Sequence, residues 1–392
     1  MGEPIFDVEL FHTAYSDRHP IVELTLPAAP WEMADAMDAL RLGEGERMVV
    51  EVLDSHDFDC VDLFIAANDN IYALNVLAQR LSELNDGERA IFRGAVKIEA
   101  RKDEPIDLMK LIDLAFSTDS YNVAPDVRND GQLGRFYAEG GFIPETDGLS
   151  DAQFELLDFA KIGRRMRESE DGTFCDVGYV VRTGEIVDVS RLIEFKSETA
   201  DYAVLLEVGA IDTENQAMLR LPASPAELDR TLDILGVEEW SEVSYRCADC
   251  RAPMLRDAIS MADNIAQANR AALYLQRMTD SELMTCKALL SACGVTDLTD
   301  ALSLIDTLDD YVYSPEFASY EDVGRSNIRF LMGDDEADVL LPCIRLTDYG
   351  KAVAEHDHMI LTGYGGIERR DGQPILTQEQ ELTQDTLTMQ QL

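Results

Sequence analysis

Residues 69–88 read DNIYALNVLAQRLSELNDGE, and residues 263–282 read DNIAQANRAALYLQRMTDSE. Asp69-Asn70-Ile71 recurs as Asp263-Asn264-Ile265, and Asn75, Ala78, Leu81, Asp86 and Glu88 meet Asn269, Ala272, Leu275, Asp280 and Glu282. Chance gives about one such identity in a window of this length, so self-similarity at long period sets the architecture before any motif is considered. Flanking blocks agree in the same order: Leu26-Pro27-Ala28 with Leu221-Pro222-Ala223, Leu111-Ile112-Asp113 with Leu304-Ile305-Asp306, and Gly178-Tyr179 with Gly363-Tyr364. The chain therefore reads as two tandem units, 1–197 and a divergent 198–392, meeting at the polar stretch Lys196-Ser197-Glu198-Thr199.

Each unit opens on strand-like alternation: Asp7 to Phe11 and Ile21 to Thr25, matched by Ala203 to Glu207. Pro30 and Pro225 then mark helix starts that run to Leu40 and Leu235. A third strand at Met48–Val52 completes an α+β part over residues 1–60. Residues 61–120 are predicted helical, because Leu74, Leu77, Ala78, Leu81 and Leu84 form one apolar stripe, with Ala268, Ala271, Ala272, Leu275 and Met278 as its twin. Further helices are predicted at 87–99, 105–117 and 131–139 (280–293 and 298–310 in the second copy) and around 150–168. A closing strand near Phe174–Arg182 makes residues 121–197 α+β again. The tail from Thr377 has no sustained pattern and is expected to fray. The expected fold class is α+β, two tandem repeats of small α+β and helical subdomains.

Charge supplies the functional lead. The 392 residues include 76 Asp or Glu against 33 Lys or Arg, a formal net charge of −43. The surplus is not a tail: residues 1–197 carry 40 acidic and 19 basic side chains, and residues 198–392 carry 36 and 14. With 46% hydrophobic residues the chain can build cores, so the acids belong to a folded surface. Self-repulsion in such a surface costs stability, which points to a basic partner rather than to nucleic acid or an anionic membrane. At one charge per roughly 1.7 Å of duplex, this surplus matches about 20 base pairs of DNA. Salt adaptation is the plain alternative, favoured by 7 Lys against 26 Arg and disfavoured by seven Cys. The odd Cys count and the start MGEPIFDVELFH give neither a disulfide framework nor a secretory signal, and no apolar run approaches 18 residues. The expected setting is cytoplasmic.

In the order LNVLAQRLSEL, GQLGRFYAEGGFIPE and LDFAKIGRRMRESEDGTFCDVGYV, the first unit resembles the antirestriction proteins of the ArdA family, acidic proteins of mobile genetic elements. Unit 2 resembles it through DNIAQANRAALYLQRM and LTDYGKAVAEHDHMILTGYGG. The resemblance implies an elongated, dimerising, non-enzymatic protein without cofactors. Such a protein imitates the phosphate array of B-form DNA and occupies the DNA-binding groove of type I restriction–modification enzymes. Two tandem units would then resemble a dimer fused into one chain, with a monomer or a homodimer as the working species. The same chemistry fits a second target class, another DNA-binding defence nuclease such as a CRISPR effector.

The candidate partner-binding carboxylates are those at expected exposed positions. In unit 1 they are Asp54, Asp57, Asp59, Asp62, Asp86, Glu88, Asp103, Glu104, Asp119, Asp126 and Asp130; in unit 2 they are Glu238, Glu239, Glu242, Asp309, Asp310, Asp334, Asp335, Glu336 and Asp338. Each is equally readable as an ordinary solvated side chain.

Other chemistry is thinner. Cys247-Ala248-Asp249-Cys250 lacks a second ligand pair for zinc, and Cys286 and Cys293 read as one buried helix face. His356-Asp357-His358 places two imidazoles on one face if it is a strand, with no third His nearby. Asp188…Glu194-Phe195-Lys196 fits the acid-plus-ExK pattern of metal-dependent nucleases, the alternative from a different class, although a chain this acidic produces such matches by accident. The basic cluster Lys161, Arg164, Arg165 and Arg167 is expected to pair with nearby carboxylates such as Glu168 and Glu170, the alternative being a role in association of units. Gly363-Tyr364-Gly365-Gly366 reads as a turn. No Walker loop, GxGxxG, GxSxG or HExxH occurs.

Overall fold

The computed structural model describes residues 3–12, 20–42, 46–102, 104–146 and 148–375. Asp103 and the tail from Thr377 lie outside the described residues. The chain is α+β, with short antiparallel sheets among many helices. It divides into two compact units. Among the described residues, unit 1 holds those of 3–10, 23–28 and 49–196; unit 2 holds those of 11–22, 29–48 and 197–375.

The first copy's elements are β1 (Phe6–His12), β2 (Val22–Leu26), α1 (Pro30–Leu40), β3 (Met48–Asp54), α2 (Ile71–Glu83), α3 (Asp86–Glu99) and α4 (Leu108–Ala115). They continue as β4 (Tyr121–Pro125), α5 (Asp130–Glu139), α6 (Asp151–Phe154), α7 (Phe159–Glu170), β5 (Thr173–Cys175) and β6 (Gly178–Arg182). The sheets run β2-β1-β3 and β4-β6-β5. In β1 the period-2 pattern puts Phe6, Val8 and Leu10 inside. The stripe of α2 is buried at Leu74, Leu77, Ala78 and Leu81.

The same order, with one short helix added where the first copy has a 3-10 segment, recurs in β7 (Val204–Ala210), β8 (Gln216–Leu221), α8 (Pro225–Leu235), β9 (Val243–Cys250), the added α9 (Arg256–Ser260), α10 (Ile265–Arg277), α11 (Asp280–Cys293) and α12 (Leu298–Ile305). It ends in β10 (Tyr311–Ser314), α13 (Tyr320–Met332), α14 (Asp334–Leu340), α15 (Leu346–Asp357), β11 (Ile360–Leu361) and β12 (Gly366–Arg369), with sheets β8-β7-β9 and β10-β12-β11. Sequence identities become identical contacts. Asn75 bridges the backbone of Ala28, accepting from its N–H at 2.8 Å and donating to its carbonyl at 3.0 Å. Asn269 treats Ala223 in the same way at 2.7 and 3.0 Å. Both Leu26-Pro27 and Leu221-Pro222 are cis. Asn85 with Glu88, and Thr279 with Glu282, close reciprocal N-terminal caps on α3 and α11.

Several expectations need correction. The helix expected over 150–168 is two, because Asp158 caps a new start by accepting from the Lys161 N–H at 3.0 Å. The 105–117 helix begins at Leu108, where Asp107 caps it. The 298–310 helix stops at Ile305, and Leu308–Asp310 forms a separate 3-10 turn. The closing strand is a hairpin, β5 pairing with β6. A 3-10 segment, His56–Phe64, follows β3 and was not anticipated. Residues 29–48, assigned by sequence to unit 1, belong by their contacts to unit 2.

That transfer rests on α1. The Trp31 N–H donates to Asp249 Oδ2 at 3.1 Å and its indole N–H to the Tyr202 carbonyl at 2.9 Å. Glu32 pairs with Arg256, and Asp35 and Asp38 lie 2.7 and 2.8 Å from Lys287 Nζ. Tyr364 donates its hydroxyl to Asp35, and the Arg41 guanidinium reaches the Gly363 carbonyl at 2.8 Å. None of the residues of α1 is exposed.

Candidate functional site

The acid surplus is concentrated by the way the cations are used. Arg135 forks onto Glu155 at 2.9 and 3.1 Å and reaches Glu139; Arg270 holds Asp306, Arg325 holds Glu321, and Arg369 holds Asp371. The Asp371 carboxyl is held down to about 2 by Arg369. With roughly two acids for each base, many carboxylates have no cation left to meet.

In unit 1 the turn from β3 into the 3-10 segment gathers four acids. Glu51, Asp54, Asp59 and Asp62 line one concavity of about 350 Å³, with Val50, Val52, Leu53, Ser55, Ile65 and Ala67 completing its wall and no Lys or Arg in it. All four acids are exposed. Glu51 was not among the candidates, although the alternation of Met48–Val52 places it on the outward face. Asp57 turns to a neighbouring concavity of about 360 Å³ and stands 3.8 Å from Arg89.

The remaining unit 1 candidates are scattered. Asp86 and Glu88 occupy the first turn of α3, where negative charge suits the helix dipole; Glu88 is half-buried and spends an oxygen on the Asn85 N–H. Glu104, Asp119 and Asp126 are exposed on connections. Asp130 is not a surface charge: it is half-buried, 2.9 Å from Arg167 and 3.6 Å from Arg164. Hydrogen bonding to Arg167, followed by the Coulomb attraction of both arginines, holds its carboxyl below the usual range. This also corrects the expected pairing of the basic cluster. Glu170 instead accepts from the hydroxyls of Tyr137 and Tyr179.

In unit 2, Glu238, Glu239 and Glu242 form one exposed turn in which Glu242 accepts from the N–H groups of the other two. Asp309 and Asp310 are exposed before β10, and Asp309 lines a concavity of about 230 Å³ with Glu282 and Asp306. Asp334, Asp335, Glu336 and Asp338 are exposed on α14, where Asp334 and Asp338 grip Arg329 at 2.8 and 2.7 Å.

The other motifs resolve into structure. Cys247 and Cys250 are buried on β9, where their mutual contact and burial push the Cys247 thiol up; burial pushes the Cys286 thiol up to about 12. His356 and Asp357 end α15 and His358 is its left-handed cap, so the segment is not a strand. Glu194 pairs with Lys196 at 2.7 Å and Asp188 with Arg191 at 3.1 Å, all exposed. Thr362 and Gly365 close the expected turn between β11 and β12.

Among the described residues, one trio brings three metal-ligating atoms within 4.8 Å of one another: Asp7, Asp54 and His56. His56 Nε2 is 3.1 Å from Asp7 Oδ2, and the Thr25 hydroxyl donates to Asp7 Oδ1. Strand pairing assembles this trio, so no local motif announces it. Among the described residues no helix is long and apolar enough to cross a membrane. No protein-family model matches the chain, and no curated protein matches it.

Proposed function

We propose that the chain is a non-enzymatic, acidic inhibitor that acts in the cytoplasm by mimicking duplex DNA. In this reading it reversibly occupies the basic groove of a DNA-binding defence enzyme, foremost a type I restriction–modification methyltransferase core. One observation carries the proposal: a folded α+β chain with a formal charge of −43 presents exposed carboxylates in both units while cations such as Arg135, Arg167, Lys287 and Arg329 are held in internal ion pairs. The group at Glu51, Asp54, Asp59 and Asp62 gathers four of these carboxylates around one concavity of unit 1. A target that reads phosphates with Lys and Arg releases counterions on binding DNA, and it gains the same release from an equivalent carboxylate array. The resemblance of the first unit to the ArdA antirestriction family supports the choice of target.

The binding contribution is distributed, so single neutralisations act weakly and grouped ones act strongly. The test is a restriction assay with a variant carrying Glu51→Gln, Asp54→Asn, Asp59→Asn and Asp62→Asn. Loss of inhibition with an unchanged fold is the expected result. Magnesium-dependent DNA cleavage by the wild-type chain that Glu194→Ala abolishes would overturn the proposal and make the chain a nuclease.

A further inference from the structure

Tyr121 on β4 stands opposite Arg182 on β6, and directly opposed residues of an antiparallel pair share a face. It is the face that α3 covers: Val180 lies two residues before Arg182 on β6, and a Cβ on Gly94 of α3 would stand 2.8 Å from the Val180 side chain. The last residue of α3, Glu99, is 5% exposed and meets three cations. Lys102 Nζ lies 2.6 Å from one carboxylate oxygen and Lys110 Nζ 3.6 Å from the other, while Arg182 is 4.0 Å away. The last two separations are too long for hydrogen bonds, so Glu99 leaves the donors of Lys110 and Arg182 unspent.

Lys287 and Arg329 are each met by two carboxylates. Here the ratio is inverted, with three cations to one carboxylate in a chain that has acids to spare. The Tyr121 hydroxyl points to a ligand independently. The residue is 3% exposed, and among the described residues its oxygen has no hydrogen-bond partner. Burial, and then the Glu99 charge, push the phenol up to about 12, so at neutral pH it keeps its proton and is a donor in want of an acceptor. Unit 2 repeats the frame without the surplus. Tyr311 stands opposite Arg369, and Cys293 ends α11 where Glu99 ends α3, but Arg369 is held by Asp371 at 2.7 Å. The fold itself therefore does not require the three cations.

We propose that the Tyr121 hydroxyl, Arg182, Lys102 and Lys110 form a binding site for a tetrahedral oxyanion of the phosphate class. Donors that converge from two strands, a helix and a turn suit four tetrahedral oxygens better than a planar carboxylate, and a surplus of two positive charges matches a phosphate dianion. Lys102, Lys110 and Arg182 are 31%, 30% and 45% exposed, so the ion reaches them from water. The two lysines swing on their flexible stems to admit it over the hydroxyl. The net charge of −43 repels an anion at long range, and moderate salt screens that repulsion. This proposal does not rest on DNA mimicry, and its readout is ion binding rather than inhibition.

The experiment is isothermal titration of the full chain with inorganic phosphate, and separately with phenyl phosphate, in a phosphate-free buffer at about 0.15 M sodium chloride. Wild type is expected to bind a single phosphate group per chain. Tyr121→Phe and Lys110→Gln are each expected to weaken binding about tenfold, the loss of one hydrogen bond to a charged group. Tyr121→Phe keeps the ring and removes only an unpartnered hydroxyl, so the fold survives it. Arg369→Gln in unit 2 is the control and leaves the affinity unchanged. Binding of phenyl phosphate identifies the source as a phosphorylated molecule, and binding of the inorganic ion alone identifies it as the free ion. No binding of either by wild type at millimolar concentration would overturn the proposal. So would binding that neither Tyr121→Phe nor Lys110→Gln weakens.

Discussion

Lys287 Nζ lies 2.7 Å from Asp35 although the two residues are 252 positions apart, and the lysine is 1% exposed. Asp38 completes the clamp at 2.8 Å, and Tyr364 is hydrogen-bonded to the same Asp35. Burying an ammonium is tolerable only with partners this close, and removing one side leaves the others uncompensated. Lys287→Ala is therefore expected to cost about 3 to 5 kcal/mol. Both tryptophans, Trp31 and Trp240, belong to unit 2, so fluorescence during urea unfolding reports this unit. Adding Asp35→Leu to Lys287→Met should recover much of the loss.

Asn75 and Asn269 each satisfy both polar groups of one alanine peptide position. Asn75→Ala leaves the Ala28 N–H and carbonyl without their partner at about 2 kcal/mol, and Asn269→Ala should cost a similar amount in its own unit. Hydrogen exchange should speed up in residues 23–28 and α2 for the first variant, and in β8 and α10 for the second.

Two helix crossings depend on glycine for space rather than for backbone freedom. A Cβ on Gly163 of α7 would stand 1.8 Å from the Asp130 carbonyl, and one on Gly350 of α15 would stand 1.7 Å from the Tyr320 carbonyl. Neither carbonyl can retreat without moving its helix, so Gly350→Ala is expected to destabilise the α13–α15 pair by about 3 kcal/mol. Gly363→Ala, which meets nothing within 4 Å, is the control and should stay within about 0.5 kcal/mol. Amide exchange in α13 and α15 separates the two outcomes.

Acid sensitivity follows from Asp130. Its folded-state pKa lies below the ordinary 3.8 because of Arg167 and Arg164, so its stabilisation is present above 3.8 and is lost as the pH falls toward the depressed value. Asp130→Asn should lower stability at neutral pH and converge with wild type in strong acid. Asp249 has the opposite sign: burial raises its pKa, so its contribution declines as the pH rises past the ordinary carboxylate value. Chemical unfolding of Asp130→Asn and wild type across an acid series checks the convergence.

Local signals told most of the fold. Pro30 and Pro225 open the helices they suggest, and the stripes of α2 and α10 are buried as their spacing requires. The break at Asp158 was hidden because one capping side chain interrupts an otherwise amphipathic run. The placement of α1 was illegible for a different reason: its partners, Asp249, Arg256, Lys287 and Tyr364, are more than 200 residues away. Exposed acids on turns were readable from their neighbours. Asp130 was not, since nothing near it in sequence shows that Arg167 folds back upon it.

Central to this account is competition with DNA for a basic groove. The most direct measurement is displacement of DNA from a purified type I methyltransferase core by the full chain across a salt series. The account predicts tight competition whose affinity falls linearly in log–log form with salt, at a slope of several released counterions. No displacement even at low salt, or displacement indifferent to salt, would contradict it.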